Sequence, residues 1–282
     1  GNFKNRGKAR TRYMPAEMGG AEAFIKTYEE TLEMVKEVEQ LTINPSDYAY
    51  EITKTGKRDD SVVNHRIHRQ KQEGLYYVEY HSVGGDANVE HLLLALDYAV
   101  TLDQVEARIA PDEALYFINL TADEARKIAE LTDDSARDDF RRSVSCVGST
   151  VCQIGMQDSN GLLKAIFDHL EEKGIDTKKL PRVHISGCPH SCGTHQIGEI
   201  GFHGAVKLVD KKPQPAFIIV DGGSEHMGSE NFGKMAGNIV ATKIPAFMEA
   251  LANILNEAPE ADFGSWRLTH KAQYMDLIKS FE

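Results

Sequence analysis

The sequence predicts an α+β fold in two parts. Residues 75–131 read as strand, helix, strand, strand, helix; beyond Phe140 strands and helices mix as an α/β layer; all four cysteines of the 282-residue chain fall in that second part as two close pairs. The first run has the order of a ferredoxin-like split unit short of its final strand. The expected architecture is therefore a ferredoxin-like half-unit followed by an α/β domain built around the cysteines.

The elements follow in chain order. Residues 1–20 carry Lys4, Arg6, Lys8, Arg10 and Arg12 with no acid before Glu17, which suits a solvated basic tail or an anion site; the absence of serine there argues against a transit peptide. From Ala21 to Leu41, Phe24, Ile25, Tyr28, Leu32, Val35 and Val38 recur at helical spacing and predict a helix whose stripe lies in a core. Residues 43–72 are polar, hold His65 and His68 and show no period, so they read as a linker or irregular cover. Residues 75–82 are rich in tyrosine and valine and read as a strand broken by Gly84-Gly85. A helix follows over about 88–100, with Leu92, Leu93, Leu96 and Val100 on one face. Short strands at 105–109 and 115–118 flank a turn at Pro111-Asp112. Thr121 and Glu124 form a capping box that starts a helix to about Leu131. An incomplete unit leaves a sheet edge and an apolar face open, so a pairing element is expected.

In the second part, Leu162, Ile166 and Leu170 mark a helix over 161–172 that ends at Gly174, a natural C-terminal cap. Strands are expected at 182–186, 205–209 and 216–220, and a helix from Pro245 that buries Phe247, Leu251 and Ile254. The domains read as 1–70, 71–138 and 139–282. Glycines at 198, 201 and 204, and at 222, 223 and 228, do not make a dinucleotide fingerprint, so no nicotinamide or flavin site is visible.

Composition bounds the function. Hydrophobic residues at 41% and charged residues at 27% describe an ordinary folded chain rather than a disordered one. The net charge of −11 argues against a nucleic-acid or anionic-membrane partner. No apolar stretch is long enough to span a bilayer and no secretory core opens the chain, so a cytoplasmic protein is expected. The chain starts at Gly1 without an initiator methionine and is expected to be a piece of something longer.

Cys146 and Cys152 are separated by five residues, Cys188 and Cys192 by three. Four thiols in two pairs suggest one shared task, and three compete. Disulfides suit small secreted domains. Structural zinc favours knuckles of two to four intervening residues, and the first pair is wider. A four-cysteine iron–sulfur cluster takes thiolates from more varied spacings. The second pair lies in Val183-His-Ile-Ser-Gly-Cys188-Pro-His-Ser-Cys192-Gly193, a β-branched run breaking into a Gly/Pro turn, and so reads as a strand ending in a ligand loop. Glycines there let backbone N–H groups approach sulfur.

Cys-x5-Cys followed some 35 residues later by Gly-Cys-Pro-x-x-Cys-Gly resembles the cluster half of the siroheme-dependent nitrite and sulfite reductases. The resemblance runs through His195–Gly201, Phe217–Gly223 and Phe263-Gly-Ser-Trp266. It implies a [4Fe–4S] cluster on Cys146, Cys152, Cys188 and Cys192, with Cys192 bridging to siroheme iron, and six-electron reduction of nitrite to ammonia or sulfite to sulfide. It implies siroheme contacts at His190, Thr194, His195 and Gln196, although histidine stands at 190 where the family usually has asparagine; His195 and Gln196 could instead only shape the turn. Asn5-Arg6-x-Lys8-x-Arg10 resembles the end of a preceding siroheme-contacting domain. The family pattern is looser over Ala107–Glu113, with glutamate at 113 where glutamine is common, and no role is carried over there. An electron donor such as ferredoxin is implied, as is a missing N-terminal half of the same enzyme that holds the paired half-unit and the substrate-facing cations. No catalytic residue is assigned, and the chain alone is expected to be inactive. The related cobalamin-pathway precorrin monooxygenase, a cluster-only electron-transfer module and a zinc-stabilised module remain open, as does nitrite against sulfite.

Overall fold

The computed structural model describes residues 11–47 and 50–282, in two compact units, Gly1–Ile52 and Thr53–Glu282. In the first unit α1 (Met14–Glu17) precedes α2 (Ala21–Val38). The predicted helix forms, but its stripe is not a core. No residue of α2 is buried, and Val38 is 80% exposed. Periodicity shows which face of a helix is apolar; it cannot show whether a covering element exists, and the described part of this unit offers only the four-residue α1 beside it. The motif Asn5-Arg6-x-Lys8-x-Arg10 lies outside the described residues.

The second unit opens with an antiparallel sheet of β1 (Ile67–Arg69), β2 (Tyr76–His81), β3 (Glu106–Ile109) and β4 (Ala114–Leu120), in the order β1-β2-β4-β3. The sequence reads residues 43–72 as irregular, yet β1 lies within them and pairs with β2, Ile67 opposite Val78. Three residues are too few to show a period of two. The Asn64 side chain sets the strand by accepting from the N–H groups of Arg66 and Ile67, at 2.8 and 2.9 Å. The half-unit is thus not short of a strand: its fourth strand comes from the N-terminal side and covers the edge of β2, leaving β3 outermost. Two helices, α3 (Val89–Ala99) and α4 (Ala122–Leu131), bury Ala95, Ala99, Ala125 and Ile128 against Val78, Phe117 and Leu120. Asn88 caps α3, and the capping box of Thr121 and Glu124 starts α4.

A second sheet carries β5 (Val144–Ser145), β6 (Val183–Ser186), β7 (Ile200–Val209), β8 (Lys212–Asp221) and β9 (Lys234–Val240), in sequential order. β5, β6 and β7 are parallel; β7, β8 and β9 are antiparallel. One face packs on α5 (Ser159–Glu172), α6 (Ile244–Glu257) and α7 (Phe263–Phe281), around Ile185, Phe202, Ile219, Phe247, Trp266 and Tyr274. Gly174, at φ +63°, ends α5 as expected. The start of β7, β5, β9 and α7 were not read from sequence. Gly201 and Gly204 resemble breaks in β7, whereas a Cβ on Gly204 would sit 2.1 Å from the Gly187 oxygen, so glycine there admits a neighbouring chain. Among the described residues no helix is long and apolar enough to cross a membrane.

Candidate metal centre

The two cysteine loops leave the sheet at one level. β5 and β6 run parallel, Ser145 opposite Ile185, so Cys146 and Gly187-Cys188 are the first residues beyond their carboxyl ends, where α/β sheets commonly place ligands. The Cys146 N–H donates to the Ile185 oxygen at 3.0 Å, carrying the ladder one residue further. The Gly187 N–H then donates to Cys146 Sγ at 3.1 Å. The Gly187 oxygen accepts from the N–H groups of Met156 and Gln157, which ties the two loops together.

The wide first spacing is taken up by a turn. Gly148 is left-handed at φ +64°, and its oxygen accepts from the Cys152 N–H at 2.9 Å. In the second loop Ser191 (φ 62°) and Thr194 (φ 50°) are left-handed on either side of Cys192-Gly193. Two interactions hold the loop down: the Gly193 N–H donates to Ser186 Oγ at 3.1 Å, and Thr194 Oγ1 lies 2.8 Å from His184 Nδ1. A Cβ on Gly193 would stand 2.0 Å from the Ile185 oxygen, so the loop closes only with glycine there.

Cys188 is 7% exposed, Cys146 and Cys152 are intermediate, and Cys192 is exposed. Among the described residues no three cysteine sulfurs lie mutually within 4.8 Å; His91, Asp133 and Asp134 are the group that does. Four thiols on two adjoining loops, with a backbone N–H aimed at one sulfur, are a donor set that suits an iron–sulfur group.

The remaining site residues predicted from sequence divide. His190 is half-buried, with Nδ1 3.4 Å from Cys188 Sγ. Behind the loop, Thr194 engages His184, while His195 is 3% exposed, bonds Ser186 Oγ at 2.9 Å and packs on His203, ring centroids 4.8 Å apart. The Gln196 oxygen accepts from the Gly233 N–H. Sequence reasoning missed Ser159, Ser186, His184 and Glu113. An N-cap at Asp158 would have placed Ser159 in the first turn of α5; nothing in sequence ties Glu113 to the cysteines. The structure sets Glu113 at φ +67° against Gly85 and the Ser145 N–H, with one carboxylate oxygen buried and without a partner. Burial pushes its carboxyl up to about 7. Burial likewise pushes His184 down to about 4. A cavity of about 460 Å3, lined by Arg182, His184, Glu199 and Glu225 among others, includes none of the cysteines.

A family profile, the nitrite and sulphite reductase 4Fe-4S domain, matches residues 136–279. The ferredoxin–nitrite reductase of Synechococcus elongatus is 33% identical over 144 residues, 49% of this chain and 28% of that protein. The NADPH sulfite reductase hemoprotein beta-component of Bacillus licheniformis is 28% identical over 110 residues, 35% of this chain and 19% of that protein. This chain thus spans under a third of either relative's length. The Mycobacterium tuberculosis NirA protein superposes with a TM-score of 0.64 at 19% identity, over 96% of this chain and 50% of that one. Dissimilatory sulfite reductase I superposes with a TM-score of 0.53 at 8% identity, over 73% of this chain and 69% of that one. Both structures share the α+β fold. Members of this family are oxidoreductases that use a [4Fe–4S] cluster with siroheme. With the profile covering the whole second sheet and both cysteine loops, the chain belongs to the nitrite and sulphite reductase 4Fe-4S domain family.

Proposed function

We propose that this chain is the cluster-bearing portion of a reductase that converts nitrite to ammonia or sulfite to sulfide, a six-electron reaction. In this reading Cys146, Cys152, Cys188 and Cys192 hold the [4Fe–4S] cluster and Cys192 also meets siroheme iron. The observation that carries it is the split within one loop: Cys188 is buried and Cys192 is exposed. One thiolate is then sealed on the cluster side while the other faces out, where a second cofactor can share it. The first loop also presents Val147, Val151, Ile154 and Met156 outward, an apolar surface that suits the flat face of a tetrapyrrole.

When bound, the cluster supplies electrons singly and the siroheme iron is the centre at which the anion is reduced. The chain's own residues hold and shield the ligands. Gly187 donates to Cys146, His190 stands beside Cys188, and the His195–Ser186–Gly193 bonds fix the turn that carries Cys192. We assign siroheme contacts first to Cys192 and His190, with Thr194, His195 and Gln196 supporting the loop from behind.

The substrates are anions and need cations and proton donors on the distal face. Four cations of this unit are engaged elsewhere: Arg141 with Glu171, Arg142 with Glu79 and Asp139, Arg182 with Glu225, and Lys207 with the oxygens of Asn238 and Glu282. We therefore place the distal groups in a preceding half of the enzyme, with a partner half-unit for the first sheet, and infer that this chain binds the cluster without turning over substrate. Ferredoxin or an NADPH-linked donor is the donor class, and the cytoplasm, which keeps thiols reduced, is the setting.

Anaerobic reconstitution with iron and sulfide, followed by metal analysis and visible spectroscopy, tests the reading. A broad cluster absorbance that Cys188→Ser and Cys192→Ser each abolish or alter is expected, with added sharp bands on supply of siroheme. A colourless protein holding stoichiometric zinc would sink the redox reading, and viologen-linked reduction of either anion by this chain alone would overturn its inactivity.

A further inference from the structure

One buried hydroxyl at the cysteine site has no part in the reading above. Ser159, the first residue of α5, is 0% exposed, and its Oγ lies 2.7 Å from the Cys146 oxygen and 3.1 Å from Cys146 Sγ. The chain closes tightly around it: a Cβ on Gly148 would sit 2.9 Å from that oxygen, and one on Gly187 would sit 3.4 Å away. The hydroxyl is therefore held against one cysteine by the same two glycines that bring the loops together.

Its hydrogen has two possible destinations, and the state of the sulfur decides between them. In the free thiol the S–H can donate to Ser159 Oγ while the Ser159 O–H donates to the Cys146 oxygen, so every group is satisfied. A thiolate bound to iron has no hydrogen to give. The serine oxygen loses its donor, and its O–H can turn to the sulfur, which already accepts from the Gly187 N–H. Hydrogen bonds to an anionic acceptor are the stronger kind, and the donor of this one is fully buried, where competing solvent does not reach it.

We propose that Ser159 is a positioning residue for the cluster, acting through Cys146: its hydroxyl donates to the ligating thiolate and raises the cluster's reduction potential. The role rests on the four-cysteine cluster reading. The step concerned is the uptake of one electron by the cluster from an external reductant; no bond is made or broken and Ser159 keeps its proton. Reduction adds negative charge to the cluster and its sulfurs, so a donor at the sulfur favours the reduced state. Without the hydroxyl the cluster is harder to reduce.

The test compares the wild-type chain, Ser159→Ala and Ser143→Ala, each reconstituted anaerobically with iron and sulfide. Ser143 is an equally buried hydroxyl, just before β5, whose partners are the Phe140 oxygen and the Val183 N–H, not a sulfur. At a fixed poised potential the Ser159→Ala cluster should show an oxidised-to-reduced ratio about tenfold above wild type, about 59 mV for a one-electron couple. Ser143→Ala should match wild type. Resonance Raman supplies a second readout, since one iron–thiolate stretch should move in Ser159→Ala and keep only the part of its sensitivity to deuterium oxide that the Gly187 N–H supplies. If Ser159→Ala takes up its cluster with the wild-type potential and stretches, the role of Ser159 is overturned while the cluster reading stands. If the wild-type chain takes up no cluster, both fall.

Discussion

Gly193→Ala puts the geometry of the cysteine loops to a direct test. The added methyl would stand 2.0 Å from the Ile185 oxygen and 3.2 Å from the Cys146 nitrogen. A Cβ···O contact needs about 3 Å, so the loop or the strand must retreat by about 1 Å. The Ile185 oxygen is the acceptor for the Cys146 N–H, so the retreat strikes a backbone bond that levels the two loops. Overpacking costs about 1–3 kcal/mol, and a buried amide left unpaired adds about 1–3 kcal/mol. A total of about 2–6 kcal/mol lowers the melting temperature by about 4–24 °C in a unit of this size. The larger effect falls on metal binding, because Cys146 and Cys188 no longer face the group from one level. Gly174→Ala is the control: it is left-handed at φ +63° with open space around it, costs about 1 kcal/mol in backbone strain, and lies away from both loops. Iron and sulfide analysis with melting curves should show Gly193→Ala largely without cluster and Gly174→Ala fully loaded. A Gly193→Ala chain with full iron and a wild-type melt would refute the reasoning, and equal cluster loss in both variants would reassign it to general instability.

Two further outcomes rest on groups outside the loops. Asp221, 8% exposed, takes both the Nε and Nη2 hydrogens of Arg267 at the start of α7; Asp221→Asn strands a largely buried guanidinium at a cost of about 2–3 kcal/mol, below the usual range for buried pairs because Arg267 is partly wet. Trp266, the chain's single tryptophan and 1% exposed, reports it, and an unchanged emission maximum together with an unchanged melt would remove the clamp from the account. Glu113, pushed up to about 7 by burial, ionises at a lower pH in the unfolded chain. The folded state therefore binds the extra proton, and stability falls as pH rises from about 4.5 to 7. Halving the shift for its contact with solvent leaves about 1.5 kcal/mol. Urea midpoints across that window should diverge, with Glu113→Gln gaining on wild type as pH rises; parallel curves would remove burial as the cause.

What the sequence made legible was local. The capping box at Thr121 and Glu124, the cap at Gly174 and the strand ending at Ser186 depend on near neighbours, and each is where the pattern places it. Features that depend on distant chain were not legible. β1 is a strand because β2 lies beside it, and β7 extends through Gly201 and Gly204 because the loops of His195 and Gly187 pass too close for any Cβ. β9 is a largely exposed edge with a weak alternation. The stripe of α2 shows the same limit from the other side, since a clear period produced no core in its unit. At the centre itself, the four cysteines and their loop character could be read, whereas Ser159, thirteen residues past Cys146, is brought to it only by the turn at Gly148.

The conformation of the second loop ties this local legibility to function. Ser191 and Thr194 both take left-handed backbone, which costs about 1–2 kcal/mol for a residue with a Cβ and more for a β-branched one. Glycine at either position would remove that cost, and Gly193 between them is not left-handed. Each strained residue neighbours an engaged group: the Thr194 N–H donates to the Ser191 oxygen, and Thr194 Oγ1 reaches His184. Strain of this kind persists where surrounding bonds over-determine it, and here those bonds come from Ser186 and His184 on β6 and from His195 in the following loop, all buried. Its result is a reversal of direction within four residues, from the buried Cys188 to the exposed Cys192. A ligand loop that only enclosed a metal would turn both sulfurs inward. On the proposed reading, a loop whose strained backbone turns one of them out would present its cluster to a second cofactor beyond this chain's surface.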